Sequence, residues 1–264
     1  MMEKVLLEAM KSLENGQPCA LATVVQSMKG TPQKIGAKMV VFSDGTCFGT
    51  VGGGLNEEKT RKECLKAMKT RKYSLVPLSY SKKDGFLCGG QIKVFIEPLL
   101  AQKHLVICGG GHIGLPLSII GKTLGFKVTV LDNRKEFANK RRFPHADHVI
   151  CHSFTKGLST IAVDQNTLMV LITASHDTDF QCLKKIIKSK AGYIGIICSQ
   201  SKKQEFVRKL QSLRIPDSLI KAVKMPIGLD IGALSPQEIA VSISAEIVSI
   251  INKDLMGSSK FRSK

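Results

Sequence analysis

"HLVICGGGHIGLPLSIIGKTLGFKVTVLD", residues His104 to Asp132, decides how this chain is read. An apolar run of strand length ends on three glycines, a helix-like pattern follows, and a β-branched run closes on an aspartate. Each part has a physical use. Gly109 allows the tight turn after the strand, Gly111 lets backbone approach a pyrophosphate, and Gly114 lets the helix pack on the strand. The helix N-terminus then meets the phosphates with its free amides. Asp132 stands where a carboxylate accepts hydrogen bonds from ribose hydroxyls. Asn133 and Arg134 follow it directly and leave open whether the ligand presents a ribose or a phosphate there. His112, within the loop, reads equally as a phosphate contact or proton donor and as a helix-start histidine with a satisfied backbone bond. The whole arrangement predicts a Rossmann-like, doubly wound parallel sheet.

Working outward, the strands "HVIC", "TLMVLIT" and "GYIGIIC" alternate with helical segments near 113–124, 178–189 and 199–212, the rhythm of a parallel sheet with crossover helices. Ser235-Pro236-Gln237-Glu238 offers a cap, a first-turn proline and the glutamate of a capping box, which predicts a last helix over 235–251. The Rossmann-like domain is therefore placed at 102–252, with a polar, basic tail over 253–264. Upstream the rhythm differs. An amphipathic helix at the N-terminus precedes "CALATVVQS", "AKMVVFS", "TCFGTVG", "YSLVPLSY" and "QIKVFIEPLL", short β-rich runs parted by turns, with one helical stretch over 56–70. That predicts an α+β domain over 1–101 with antiparallel pairing.

Composition narrows the function. The 264 residues hold 39 Lys and Arg against 21 Asp and Glu, a formal charge of +18, so the chain's field favours anionic partners. Nucleic acid fits poorly, because there is no Trp, only three Tyr, and no basic run interleaved with stacking aromatics. Eight cysteines form no C-x-x-C pair, and several sit in apolar strands, which suits a reducing cytoplasm. No apolar run reaches membrane-spanning length.

Four further stretches carry chemistry. "GTPQKIGAKMVV", Gly30 to Val41, reads as a turn-bearing hairpin rim or as an anion loop with Lys34 as its cation. "FGTVGGGLNEE" places Gly52, Gly53 and Gly54 between a strand and a helix, where their amides form either a nest for an anion or a plain corner. "FLCGGQ" sets Cys88 before Gly89 and Gly90, after a lysine-bearing turn, where a thiol gains thiolate character as nucleophile or soft-metal ligand, or else is structural. "VLITASHDTDF" delivers His176 and Asp179 past a strand end, as ligand contacts, a proton path or part of a metal site, with Asp179 alternatively capping the next helix. Two such ligands alone make a poor metal centre, and no metal site is assigned.

In order, "GTPQKIGAKMVV", "GTVGGGLNE", "CGG", "HLVICGGGHIG", "KVTVLDNRKEFANKRRFPHAD", "TASHDTDF", "AGYIGIICSQSKK" and "MPIGLDIGALSPQEIAVSISAEI" resemble the XdhC/CoxI family, accessory proteins of molybdenum hydroxylases such as xanthine dehydrogenase. The resemblance implies an XdhC/CoxI domain followed by a Rossmann domain, and a cytoplasmic maturation chaperone rather than an enzyme. It implies binding of the molybdenum cofactor, its transfer to an apo molybdenum hydroxylase, a sulfur-donating enzyme as second partner, and a homodimer. On this reading Lys34 and Gly52–Gly54 hold phosphate, Cys88 with Gly89 and Gly90 faces the metal-dithiolene end, and Gly109, Gly111, His112, Gly114, Asp132, His176 and Asp179 complete the binding set. Cys88 and His176 are then the residues for any chemistry. The chain departs from the family pattern at Gln33-Lys34, where many members have arginine after the proline, at Leu55, where many have cysteine, and at Ala174, where a histidine is usual. An NAD(P)-dependent oxidoreductase using the Gly109–Asp132 fingerprint is the rival reading.

Overall fold

The computed structural model describes residues 2–28, 31, 33–80 and 90–253. Cys88, Gly89 and the tail from 254 onward lie outside the described residues. The chain divides into two compact units that meet in sequence between Ala101 and Gln102.

Unit 1 is an antiparallel sheet between two helices. Its elements are α1 (Met2–Glu14), β1 (Cys19–Ser27), β2 (Lys38–Phe42), β3 (Cys47–Gly49), α2 (Gly54–Thr70), β4 (Ser74–Tyr80) and β5 (Gly90–Leu99). The strand order is β3-β2-β1-β5-β4. Every pairing is antiparallel, with Leu21 facing both Val40 and Glu97 and an irregularity in β1 between Val24 and Gln26. Alternation sorts the central strand. Ala20, Ala22 and Val24 pack with Cys64 and Ala67 of α2, while Cys19 and Leu21 pack with Val5 and Ala9 of α1. A sheet covered on both faces buries Cys19 to Ala22 and Val24, which is why the first part of β1 reads as a continuous apolar run.

Unit 2 is the doubly wound parallel sheet that the glycine motif predicts. It comprises β6 (His104–Cys108), α3 (Gly114–Thr123), β7 (Lys127–Asp132), β8 (His148–Cys151), α4 (Phe154–Ser159), β9 (Thr167–Leu171), α5 (His176–Ile186), β10 (Tyr193–Ile196), α6 (Gln200–Ser212), α7 (Asp217–Ala222) and α8 (Pro236–Ile251). All four strand pairings are parallel, in the order β10-β9-β6-β7-β8. The chain winds outward through β7 and β8, then returns to the other side of β6 for β9 and β10. The switch in direction falls between β6 and β9, where open α/β sheets form their ligand crevice.

Leu105, Ile107, Val128 and Val130 face α3 and α8, meeting Leu117, Ala240 and Ile243. Val106, Cys108, Met169 and Leu171 face the other way, onto Cys182, Leu183, Phe206 and Leu210. The capping box forms as its residues predict: Ser235 Oγ accepts from the Glu238 amide at 3.3 Å and Glu238 Oε2 accepts from the Ser235 amide at 2.8 Å. Two short helices, α4 and α7, have no periodic signal in the sequence and were not anticipated. The helix expected over 178–189 both starts and ends earlier than its pattern suggests, so Lys188 lies in the turn after α5.

Candidate functional site

The carboxyl edge of the unit 2 sheet gathers Gly109, Gly111, His112, Gly114, Asp132, His176 and Asp179, half of the residues singled out by sequence. The turn after β6 is held by the Gly109 amide donating to Leu131 O at 2.8 Å. Gly109 has φ +123°, and a Cβ there would lie 2.1 Å from Ile172 O, so this loop and the one after β9 are in close contact. A Cβ on Gly114 would lie 2.1 Å from Gly109 O, the tight fit of helix on loop. Gly111 is different. A Cβ there meets no atom within 4 Å, which leaves open space in front of the α3 N-terminus. His112 is exposed beside it.

Asp132 is fully buried and entirely engaged. Its Oδ1 accepts from the Arg134 amide at 3.0 Å and Arg134 Nε at 2.9 Å; its Oδ2 accepts from the Gly110 amide and Arg134 Nη2, both at 2.9 Å. Burial acts to raise its pKa, but the Arg134 guanidinium and the two backbone amides outweigh it and hold the carboxyl below its ordinary value. Arg134 also lies 3.9 Å over the Phe137 ring. Arg142 approaches the same ring at 5.2 Å and donates from Nε to Gly110 O at 3.0 Å and from Nη2 to Gly111 O at 3.3 Å. Sequence reading left Arg134 unassigned and missed Phe137 and Arg142. Arg134 had a signal, two residues past the strand-end aspartate; Arg142 had none, because it reaches the glycine loop only through the fold.

On the β9 side, Ser175 caps α5 by accepting from the Thr178 amide at 3.3 Å, so the cap is Ser175 and not Asp179. Asp179 Oδ1 instead holds the strand end, accepting from Thr173 N at 2.9 Å and Thr173 Oγ1 at 2.7 Å. Its burial raises its pKa despite those bonds. His176 Nδ1 stands 3.9 Å from Asp179 Oδ2, with the His176 side chain half exposed. That spacing is too long for a hydrogen bond. Among the described residues, no group of three or more His, Cys, Asp or Glu is placed to hold a metal ion.

Unit 1 holds the other glycine run. Gly52, Gly53 and Gly54 all take positive φ, and the Gly53 amide donates to Glu57 Oε1 at 3.0 Å. Thr50 Oγ1 donates to the same oxygen and accepts from the Gly52 amide at 3.2 Å. The chain's own carboxylate thus sits at the α2 N-terminus, where a ligand anion was expected. Lys34 is exposed, while its neighbour Gln33 lines, with Met2, Lys38 and Thr50, a hollow of about 210 Å³. Gly90 opens β5, opposite Tyr80.

A larger cavity, about 560 Å³, lies at the amino end of the unit 2 strands, away from the glycine loop, lined by His104, Lys127, Thr129 and His148 among others. His104 bonds Thr129 Oγ1 at 2.7 Å, and burial, followed by the charges of Lys127 and His148, pushes its pKa down to about 4. An unfolded histidine titrates near 6.5, so His104 leaves stability unchanged above that pH. As pH falls from 6.5 to about 4, the unfolded chain takes up a proton that the folded chain refuses, and stability drops. Allowing for partial exposure, the loss is on the order of 2 kcal/mol. Chemical denaturation between pH 4 and 7 should show this slope in the parent and a flatter one in His104→Gln.

A parallel sheet with a glycine loop open at its switch point, following an antiparallel α+β unit in the sequence, defines a two-part protein with a Rossmann-type domain. The XdhC Rossmann domain family matches residues 105–247, and the XdhC and CoxI family matches residues 12–79. The chain belongs to the XdhC/CoxI family. It is 32% identical to Uncharacterized protein YqeB of Escherichia coli over 94% of its own length and 46% of that protein. It is 30% identical to a probable xanthine dehydrogenase subunit from Bacillus subtilis over 59% of its length and 45% of that protein. The chain thus spans about half the length of these two curated relatives. Similarity to Molybdenum cofactor insertion chaperone PaoD of Escherichia coli is 21% and covers 93% of this chain and 87% of that one. A crystal structure described as a xanthine dehydrogenase from Bacillus halodurans superposes with a TM-score of 0.54 at 22% identity, covering 97% of this chain and 98% of the other, and shares the fold. No helix among the described residues is long and apolar enough to cross a membrane.

Proposed function

We propose that this chain is a maturation chaperone that carries the molybdenum cofactor as cargo and delivers it to the apo form of a molybdenum hydroxylase of the xanthine dehydrogenase type. The observation that carries the reading is the open space at Gly111, an uncrowded backbone approach at a helix N-terminus with the guanidinium groups of Arg134 and Arg142 close to the loop. A pterin phosphate is an anion, and a basic chain with such a loop suits it. Similarity to a named insertion chaperone across nearly both whole chains supports the cargo. Cys88 and His176 are the groups proposed for the soft, sulfur-rich end, Lys34 for a phosphate, with Gly52–Gly54 able to join it only if Glu57 withdraws from the Gly53 amide, and the Gly109–Gly114 loop for a nucleotide or the nucleotide portion of the cargo. A sulfur-donating enzyme as second partner, a homodimer and a cytoplasmic setting belong to the same proposal.

The rival reading, an NAD(P)-dependent oxidoreductase, draws on the same fingerprint at the switch point. One experiment separates them. The chain, isolated from cells that make the cofactor, should carry pterin and molybdenum, and Gly111→Val should lower both at least about tenfold while melting within a few degrees of the parent. Bound nicotinamide without pterin would favour the oxidoreductase; pterin retained at full occupancy by Gly111→Val would remove the loop from the cargo site.

A further inference from the structure

We propose that Arg134, seated on the Asp132 carboxylate, makes the unit 2 edge select nucleotides bearing a phosphate on the ribose over nucleotides with a free ribose diol. The inference rests on the nucleotide reading of the Gly109–Gly114 loop.

In a dinucleotide fold the strand-end acid selects the diol because its lone pairs are free to accept two hydroxyl protons. Asp132 has none to spare. A carboxylate offers about four acceptor sites, and here the Gly110 amide, the Arg134 amide, Arg134 Nε and Arg134 Nη2 fill them. The carboxylate is also fully buried, so a hydroxyl would have to strip a charge-assisted bond from a desolvated anion.

What this end of the site presents instead is cationic. The Arg134 side chain is one-third exposed. Among the described residues its side-chain bonds use only Nε and Nη2, so the Nη1 hydrogens remain as donors. The fork is fixed on one side by Asp132 and on its face by the Phe137 ring at 3.9 Å, a preorganised guanidinium of the kind that binds phosphate in two-point fashion. Arg142 adds a second positive group and covers Gly110 O and Gly111 O, two carbonyls that would otherwise repel an anion. Asp132, two arginines and the loop therefore sum to a net positive end, in which Asp132 is a positioning residue for Arg134.

The probes are 5′-AMP and 2′,5′-ADP, which differ only in the 2′-phosphate, titrated calorimetrically into the full chain at physiological ionic strength, where the general field of a basic protein is damped. The parent should bind 2′,5′-ADP at least about tenfold more tightly. Arg134→Gln keeps an amide to donate to Asp132 but no charge, and should bring the two affinities within about threefold. Arg134→Ala frees two Asp132 acceptor sites, so 5′-AMP should bind more tightly than to the parent while 2′,5′-ADP weakens. Lys188→Gln, in the turn after α5, should leave the preference as in the parent. Equal affinities in the parent, or a preference that Arg134→Gln retains as fully as Lys188→Gln, would overturn the selectivity while leaving the nucleotide loop standing. Binding of neither probe would overturn the nucleotide reading itself, and the selectivity with it.

Discussion

Gly109→Ala should destabilise unit 2 by roughly 3–5 kcal/mol, whereas Gly111→Ala, two residues on, should cost well under 1. The two positions look alike in sequence. At 109 the backbone has φ +123°, a conformation that strains any L side chain, and the added carbon would stand 2.1 Å from Ile172 O. Relief requires β6 and β9 to separate at their carboxyl ends, where the Ile172 amide donates to Cys108 O at 2.9 Å. At 111 the same carbon meets nothing within 4 Å, so its cost falls on whatever the loop binds and not on the fold. Thermal melts separate the two outcomes: a drop of roughly 10 °C or more for the first variant and little change for the second. A mild Gly109→Ala would mean that the loops after β6 and β9 are not locked together.

Asp179→Ala should cost about 2–4 kcal/mol, although the residue lies beside the site and not in the core. Its Oδ1 is the acceptor for both Thr173 N and Thr173 Oγ1, and removing it takes the Thr173 amide's acceptor away and leaves Thr173 Oγ1 with Ser175 O alone, at a place where the carboxylate was 1% exposed. Asp179→Asn keeps an acceptor oxygen and should cost about 1 kcal/mol. Hydrogen exchange at the Thr173 amide is the discriminating measurement. It should quicken sharply in the alanine variant and little in the asparagine one, and equal exchange in both would mean the strand end is held by its ladder alone. In that case His176 and Ser175 would keep their positions without Asp179.

Much of the architecture was legible because its causes are local. A five-residue apolar run such as "HLVIC" bounded by three glycines reads as a buried strand ending in a tight turn, and Ser235 with Glu238 closes its own cap within one helical turn. The alternation of such runs with helical patterns implied parallel pairing and its order of layers. By the same token α4 and α7, six residues each, escaped notice, since neither spans two turns of period. Lys34 and His176 were singled out by residue type and neighbourhood; Lys34 lies exposed in a loop and His176 half exposed at the start of α5.

Side-chain partnerships were not legible, and they change what the glycine loops offer. The residues from Gly52 to Gly54 read as an anion nest or a plain corner, and Glu57 turns back onto the Gly53 amide once α2 forms. Asp132 looked like a free ribose acceptor, but Arg134 folds back onto it and Phe137 backs the guanidinium. Arg142 reaches Gly110 across 32 residues of chain. Strands, turns and caps depend on interactions a few residues apart, which a sequence displays in order. Glu57 and Arg134 lie only four and two residues from their partners, but a sequence does not display which way a side chain turns; Arg142 comes to the loop only after the strands and helices of unit 2 have packed.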